Sequence, residues 1–458
     1  MIYDFVELDK EIPIPMYQQL YKSISIAIEN GNLPQGTKLP SIRKFSEDLT
    51  LSRTTVESAY QQLCVEGFII NRPRKGYFVH VDGRLASTQH LDKNRPYVSG
   101  NNESPIRYDL GSDSIDSSTA DIKLWRSHIK DVLKKQNIII SYGEPQGEYE
   151  LRRIVSLYSY AVRGVTCSED NIVIGAGTQP LLYLLCGLLK NDGMTAAIEK
   201  GGFSKAEQVF VDCHFDIAHI HGNTEGIDID SLYQTKASVL FVNPSGNLIT
   251  GQPMKIKQRY ELLNWAHQCD GMIIEDDYNG ELRFTSRPIP ALQGMDSSRV
   301  IYIGSFSKLL LPSVRIGYMV LPPRLMELYR AKSSLYNQTA SKIEQLALAK
   351  YIREGQLDKQ LRRLRKIYAE KSSLLITALK NTFGEQVRII LHESSLSVTL
   401  ILDDNGCDIE TLARKAGLKV RHIKAKRTTD YALRLGFSGI PIQDIVPAVE
   451  LLYHIYHS

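Results

Sequence analysis

The sequence predicts an α/β protein led by a small, separate helical domain. Three observations carry that expectation. From about residue 107 onward, short apolar runs ("NIVIGAG", "ASVLFVNPSG", "DGMIIEDDY", "SRVIYIGS") alternate with amphipathic helical stretches, the pattern of a mostly parallel sheet covered by helices. Residues 1–81 instead hold short helical patterns that close on "RPRKGYFVHV". Between the two, residues 82–106 are polar and dotted with Pro, Gly and Asn, which reads as a linker. At 458 residues the chain also exceeds what one ordinary core accommodates.

Composition narrows the class. With 43% hydrophobic and 23% charged residues, this is an ordinary globular chain. No stretch nears the ~20 uninterrupted apolar residues of a membrane span. The start, "MIYDFVELDKEIP", lacks the basic-then-apolar layout of a secretory signal. The 6 cysteines are scattered without a C-x-x-C pair, which argues for reduced, mostly buried thiols in a cytoplasmic protein and against a disulfide framework or a metal site. Net charge is only +4, so any affinity for nucleic acid has to come from a local patch.

In the first domain, "MYQQLYKSISIAIENG" places Leu20, Tyr21, Ile24 and Ile28 on one helical face, and Gly31 ends the helix. Ser41 can cap a second helix that buries Ile42, Phe45 and Leu49. Ser52 caps a third, in which Val56, Ala59, Tyr60 and Leu63 form the i, i+3, i+4, i+7 stripe. That packing leaves Arg53, Thr54, Glu57, Ser58 and Gln61 pointing outward, the layout of a helix-turn-helix. "FIINRPRKGYFVHV" then reads as a two-stranded wing with Arg72, Arg74 and Lys75 at its tip. Residues 31–80 carry seven Lys/Arg against four Asp/Glu, placed in the cap, turn and wing regions that would meet phosphates. A small helical interaction module with a solvated face would show the same pattern.

The wording of "LPSIRKFSEDLTLSRTTVESAYQQLCVEGFI" resembles the winged helix-turn-helix domain of GntR-type regulators. The resemblance implies operator double-stranded DNA as partner, contacted by Arg43, Ser52, Arg53, Thr54 and Thr55, with Lys75 and Gly76 in the wing. The wing of that family is usually richer in small residues than "PRKGY".

In the second domain, "IGSFSKLLLPSVRIGY" sets Lys308 behind two serines at the end of an apolar run, with Arg315 seven residues later. A lysine amine can hold an aldehyde as a Schiff base, and pyridoxal 5'-phosphate is the commonest such aldehyde. That cofactor needs a phosphate cradle, a carboxylate for its ring nitrogen and a flat partner for the ring. "IVIGAGTQPLLYLLCGLL" offers the cradle: a strand at Ile172–Ile174 runs through glycines into a helix, with Thr178 and Gln179 at the turn. Ser305, Ser307 and Arg315 can add contacts. A bland strand-turn-helix explains the glycines equally well. Asp276 and Asp277 follow a buried run and need partners, which a pyridinium or a lysine would each supply. Tyr278 can donate to the phenolic oxygen, and Phe203, Gly-flanked on a loop, can stack on the ring or simply pack.

The order of these pieces, from "YGEPQGEYELR" to "LRLGFSG", resembles the fold-type I aminotransferases. The resemblance implies a large PLP-dependent aminotransferase-like domain over 107–458 with a smaller C-terminal α+β subdomain from about 335. It makes Lys308 the Schiff-base lysine, Asp276 the pyridinium partner, Tyr278 the phenolate contact, and Arg315 with Ser305 the phosphate ligands. Arg434 becomes the clamp for an effector's carboxylate. In "VNPSGNLITG", Gly246 and Asn247 stand where a His-Gln pair is usual and Ile249 where Pro is usual; Asn247 can still reach the cofactor oxygen.

A GntR-type winged helix, a linker and an aminotransferase-like domain in this order resemble MocR/GabR-type transcriptional regulators. What this implies is a head-to-tail homodimer that senses an amino acid, an amine or the cofactor itself through an aldimine at Lys308. A 25-residue linker spans several tens of ångströms at ~3.3 Å per extended residue, enough for such an exchange. A working aminotransferase with an accessory DNA-binding domain, and a regulator whose large domain has lost the cofactor, stand as alternatives at this point.

Overall fold

The computed structural model describes residues 3, 5–6, 8–9, 12–80, 105–111, 114–115, 117–135, 140–189, 193–223, 226–247, 249–277, 280–285, 289–384, 387–404, 406–423 and 430–458. Most of the expected linker and Tyr278 lie outside that set. The chain divides into two compact units, Met1–Asn102 and Glu103–Ser458.

In the first unit, helix α1 (Met16–Glu29) ends where Gly31 takes a φ of 78°, a left-handed turn that costs glycine little. Helices α2 (Ile42–Asp48) and α3 (Arg53–Val65) begin at the expected caps: Ser41 Oγ accepts from Lys44 N–H (3.3 Å) and Ser52 Oγ from Thr55 N–H (3.1 Å). Val56, Ala59, Tyr60 and Leu63 are all buried, against Leu20, Ile24 and Phe45. Ile42 and Leu49 only lean on this core, because α2 is too short to bury both ends. Strands β1 (Ile69–Arg72) and β2 (Gly76–Val79) form an antiparallel hairpin. Thr37 and Leu39 add backbone bonds to β2, so the wing has a third short edge (Val79 N–H to Thr37 O and Leu39 N–H to Tyr77 O, both 2.9 Å).

The second unit opens with β3 (Tyr108–Asp109), helices α4 (Ile122–Leu133) and α5 (Tyr149–Arg163), β4 (Ile172–Gly175) and α6 (Thr178–Leu189). Strand β5 (Thr195–Glu199), α7 (Ser204–Asp212), β6 (Asp216–Ile220), α8 (Ile229–Gln234), β7 (Val239–Val242), α9 (Ile256–Gln268) and β8 (Met272–Asp277) follow. Then come β9 (Val300–Ser305) and β10 (Gly317–Val320). Strands β4 to β10 make one seven-stranded sheet in the order β4-β10-β9-β8-β7-β5-β6, parallel except at β10. The apolar runs are continuous because both faces are covered: Ile274 and Ile301 pack into one core, Ile273 and Val300 into another.

Beyond the long helix α12 (Gln356–Phe383), preceded by α10 (Pro323–Lys332) and α11 (Lys342–Arg353), lies a four-stranded antiparallel sheet. Its strands are β11 (Arg388–His392), β12 (Ser397–Asp403), β14 (Arg421–Ile423) and β15 (Asp430–Gly436), in the order β11-β12-β15-β14. The short strand β13 (Leu418–Lys419) pairs in parallel with β3, tying the start of this unit to its C-terminal part. No helix among the described residues is long and apolar enough to cross a membrane. All six cysteines are free. Burial of the thiols is less general than expected: Cys186 alone is fully buried, and Cys269 is exposed at the C-cap of α9, where a helix end leaves the core.

Candidate functional site

Strands β4, β5, β7, β8 and β9 run in parallel, so their C-terminal ends share one edge of the sheet, where ligands of open α/β sheets bind. The loops leaving that edge line a cavity of about 640 Å³. It gathers Thr178, Gln179, Phe203, Asn247, Asp276, Ser305, Ser307, Lys308, Arg315 and Arg434 around one space. These residues span more than 250 positions of sequence, and the topology of the two sheets with the packing of their loops brings them together.

Strand β10 runs against its neighbours, so its first residue, Gly317, pairs with both Gly175 of β4 and Ser305 of β9 at this same edge. Arg315, two residues earlier, is thereby delivered to the turn that opens α6. Its Nη2 donates to Ala176 O (3.2 Å). Gly177 has a φ of +101°, and a Cβ there would stand 3.0 Å from Arg315 Nη2, so only glycine lets the guanidinium lie on the turn. The first N–H groups of α6 have no intrahelical acceptor, and next to a guanidinium they make an anion site. Ser305 Oγ donates to Ser307 Oγ (3.2 Å) and accepts from Ser307 N–H (3.3 Å), which fixes the turn carrying Lys308.

The end of β8 separates two adjacent carboxylates, because neighbouring strand residues face opposite sides. Asp277 is fully engaged: it pairs with Arg163 Nε (2.5 Å) and accepts from Ser245 Oγ (3.0 Å), Tyr302 OH (2.8 Å) and Gly280 N–H (3.1 Å). Glu275, on the same side, accepts from Leu292 and Gln293 N–H (2.9 Å each). Asp276 points the other way, into the cavity. It is 2% exposed and its Oδ1 has no hydrogen-bond partner among the described residues. Burial, reinforced by the charge of Asp277, pushes its carboxyl up to about 7. A buried carboxylate oxygen without a donor, aimed into a cavity whose wall carries a lysine and an anion cradle, fits the protonated ring nitrogen of pyridoxal 5'-phosphate.

Phe203 forms the N-cap of α7 and lines the cavity, 37% exposed. Asn247 reaches the cavity but its amide is committed locally: Oδ1 accepts from Ile249 and Thr250 N–H (2.7 and 2.9 Å), and Nδ2 donates to Asn223 O (2.9 Å). The glycine beside it has a steric reason: a Cβ on Gly246 would stand 2.0 Å from Ser394 Oγ. The loop therefore packs directly on the segment between β11 and β12. Arg434 lies in β15, opposite Thr399 of β12. The charge of Arg434, added to burial, holds the His392 imidazole down at about 4.

Sequence reasoning missed Glu199, Lys205, Asn243, His392, Ser394, Ser395 and Arg421 on the cavity wall. Glu199 was the most accessible to it, as the acid directly before the "KGGF" loop; burial pushes its carboxyl up to about 7. The others reach the wall through strand pairing and loop packing, which leave no local signal.

The first unit presents its candidate DNA contacts at the start of α3 and the hairpin turn. Arg53 and Thr54 are exposed in the first turn of α3, and the hydroxyls of Thr54 and Thr55 lie 2.8 and 2.7 Å from Ser52 Oγ. Arg43 is exposed and paired with Glu47 (3.1 Å). Lys75 and Gly76 sit at the hairpin turn, where Arg74 and Gly76 have φ of 62° and 99°. Arg72 pairs with Gly76 at the turn end of the hairpin, and its guanidinium also covers the Phe78 ring (4.9 Å), with Lys38 over that ring as well (5.9 Å).

Residues 16–79 match the family model "Bacterial regulatory proteins, gntR family". An uncharacterized HTH-type transcriptional regulator of Bacillus subtilis (strain 168), YdeL, is 34% identical over 97% of each chain. The probable rhizopine catabolism regulatory protein MocR of Rhizobium meliloti is 29% identical over 89% of this chain and 83% of its own. A kynurenine aminotransferase of Pyrococcus horikoshii shares the fold of the large unit, with a TM-score of 0.68 and 24% identity over 77% of this chain and 91% of its own.

Proposed function

The chain belongs to the MocR-type HTH transcriptional regulators, and from that premise we propose that it binds operator DNA through α3 and the wing while its large unit holds pyridoxal 5'-phosphate and reads an effector. The observation that carries the cofactor is Asp276, a buried carboxylate whose Oδ1 has no donor among the described residues. When bound, the cofactor supplies an electrophilic aldehyde and an electron-withdrawing ring. Lys308 would hold the aldehyde. Asp276 would accept from the ring nitrogen, and Phe203 would cover one ring face. Arg315, Ser305, Ser307, Thr178 and the start of α6 would hold the phosphate, with Gln179 at the same turn.

Arg434 would take the carboxylate of an amino-acid effector, as a bidentate guanidinium suits. An effector that binds there changes DNA binding only if it favours one state of the regulator over another. The large unit senses rather than turns substrate over, the regulator works as a homodimer, and its place is the cytoplasm, with its operator. In the DNA-binding unit, Arg43, Ser52, Arg53, Thr54 and Thr55 approach one groove and its phosphates, and Lys75 with Gly76 a neighbouring phosphate.

The test is covalent. The purified protein should be yellow, and borohydride should fix the cofactor to Lys308; Lys308→Ala should lose the adduct. An adduct mapped to another lysine, or a protein that stays colourless with added cofactor, would overturn the assignment. Steady conversion of an amino acid and a keto acid would favour an enzyme instead.

A further inference from the structure

The cavity wall carries cationic side chains beyond those assigned to the proposed cofactor. Lys308 and Arg315 serve the aldehyde and the phosphate in the reading above, which leaves Lys205, Arg421 and Arg434 on the wall. Arg421 of β14 and Arg434 of β15 are direct cross-strand partners, so their side chains leave the same face of the four-stranded sheet. Like charges placed directly opposite one another on a sheet destabilise the pair. The next residue across that face is Thr399, whose Oγ1 lies 3.0 Å from His392 Nε2. With its pKa held at about 4, His392 is neutral at physiological pH and adds no charge to that face. The carboxylates on the cavity wall, Asp276 and Glu199, sit on β8 and β5 of the other sheet.

We propose that Arg421 and Arg434 together recognise an effector with two acidic groups: an amino acid whose α-carboxylate takes Arg434 and whose side-chain acid takes Arg421. The proposal rests on Arg434 being the effector's carboxylate clamp. Directly opposed strand residues have Cβ atoms only ~4.5–5.5 Å apart, so the guanidiniums suit two acids separated by a few carbons, as in aspartate, glutamate or cysteate. Each guanidinium can meet its acid with two parallel N–H bonds. Arg421 then sets specificity: it separates an acidic amino acid from its amide or hydroxyl counterpart, which offers the second guanidinium no charge.

The experiment titrates the full chain with aspartate, glutamate and cysteate, and with asparagine, glutamine and serine as their neutral counterparts. It reads cofactor absorbance in the loaded protein and melting temperature with and without cofactor. At least one acid should bind ~30-fold or more tightly than its counterpart, the size of one charge-assisted contact. Arg421→Gln should bring that acid down to its counterpart's level while neutral amino acids stay within about threefold of wild type. Arg421→Met, similar in length and uncharged, should behave alike. Acids and counterparts that bind equally to wild type, or an Arg421→Gln protein that keeps the preference, would overturn the proposal. A protein that takes up no cofactor would fail the functional reading, yet its melting temperatures would still decide this one.

Discussion

The GntR-type unit and the cavity of the large unit place their candidate functional groups in opposite ways. The first displays them on a short contiguous stretch: Ser52, Arg53 and Thr54 open one helix, and Lys75 stands on one turn. Beneath them a core of Leu20, Ile24, Phe45, Val56 and Tyr60 does nothing but hold the frame. In the second, the groups come from segments scattered over both sheets, and one of them, Asp276, is buried with no partner for its Oδ1 among the described residues. Exposed contacts cost the fold little, whereas a buried carboxylate costs it stability until a ligand arrives. Substitutions in the two regions should therefore fail in different ways.

The largest expected effect is at Asp276. Asp276→Asn should weaken cofactor retention by about 100-fold or more, measured by dialysis and absorbance, because the buried charge opposite the ring nitrogen is gone. The same change should stabilise the cofactor-free protein. With its pKa raised from 3.8 to about 7, Asp276 disfavours the folded state progressively as pH rises from about 4 to about 7. The gain of the variant should grow across that window and level off above it, reaching about 1–4 kcal/mol in urea unfolding. A variant that destabilises the cofactor-free form at pH 8 would break the contrast drawn above.

Next comes the packing of the cavity loop. Gly251 has a φ of +69°, and a Cβ would meet Leu391 O at 2.0 Å. Gly251→Ala should cost the large unit about 2–4 kcal/mol by calorimetry, since both the backbone and a neighbouring carbonyl have to shift. The operator contacts proposed for the first unit share no residue with that loop.

In the first unit the effects should be smaller and should leave the cofactor alone. Arg53→Ala should cost about 1–3 kcal/mol in operator binding and relax specificity at one position if it reads a base edge. Lys75→Ala should weaken all sequences alike and lower the salt slope by about 1. Equal slopes for Lys75→Ala and wild type would argue against a phosphate contact. Loss of cofactor from either variant would blur the separation between the two regions.

The smallest expected effect is Ser52→Ala, which removes the acceptor of Thr55 N–H and the partner of two threonine hydroxyls. It should cost about 0.5–2 kcal/mol of the small unit's stability, and DNA binding should fall with it as the first turn of α3 frays.

Much of this molecule was legible in its sequence because it is written in local terms. Caps at Ser41 and Ser52, the stripe from Val56 to Leu63, and the apolar runs of the parallel strands each depend on near neighbours, and each appears where its pattern stands. Lys308, Arg315, Phe203 and Asp276 could be named because each follows a strand or a glycine turn at short range. Residue pattern alone does not separate Asp276 from Asp277, and only the family resemblance chooses Asp276; the physical reason it is the one that enters the cavity is that Arg163, 114 positions away from Asp277, claims that carboxylate. The sequence could not place Arg72 on Phe78, nor explain Gly246, whose missing Cβ matters only because Ser394 arrives from another sheet. Nor could it set Arg421 beside Arg434, since cross-strand register is fixed by pairing in space and leaves no spacing to read. What the chain decides alone is the identity and local conformation of each group; which groups meet, and which carboxylate is left without a donor, is decided only when distant segments close on one another.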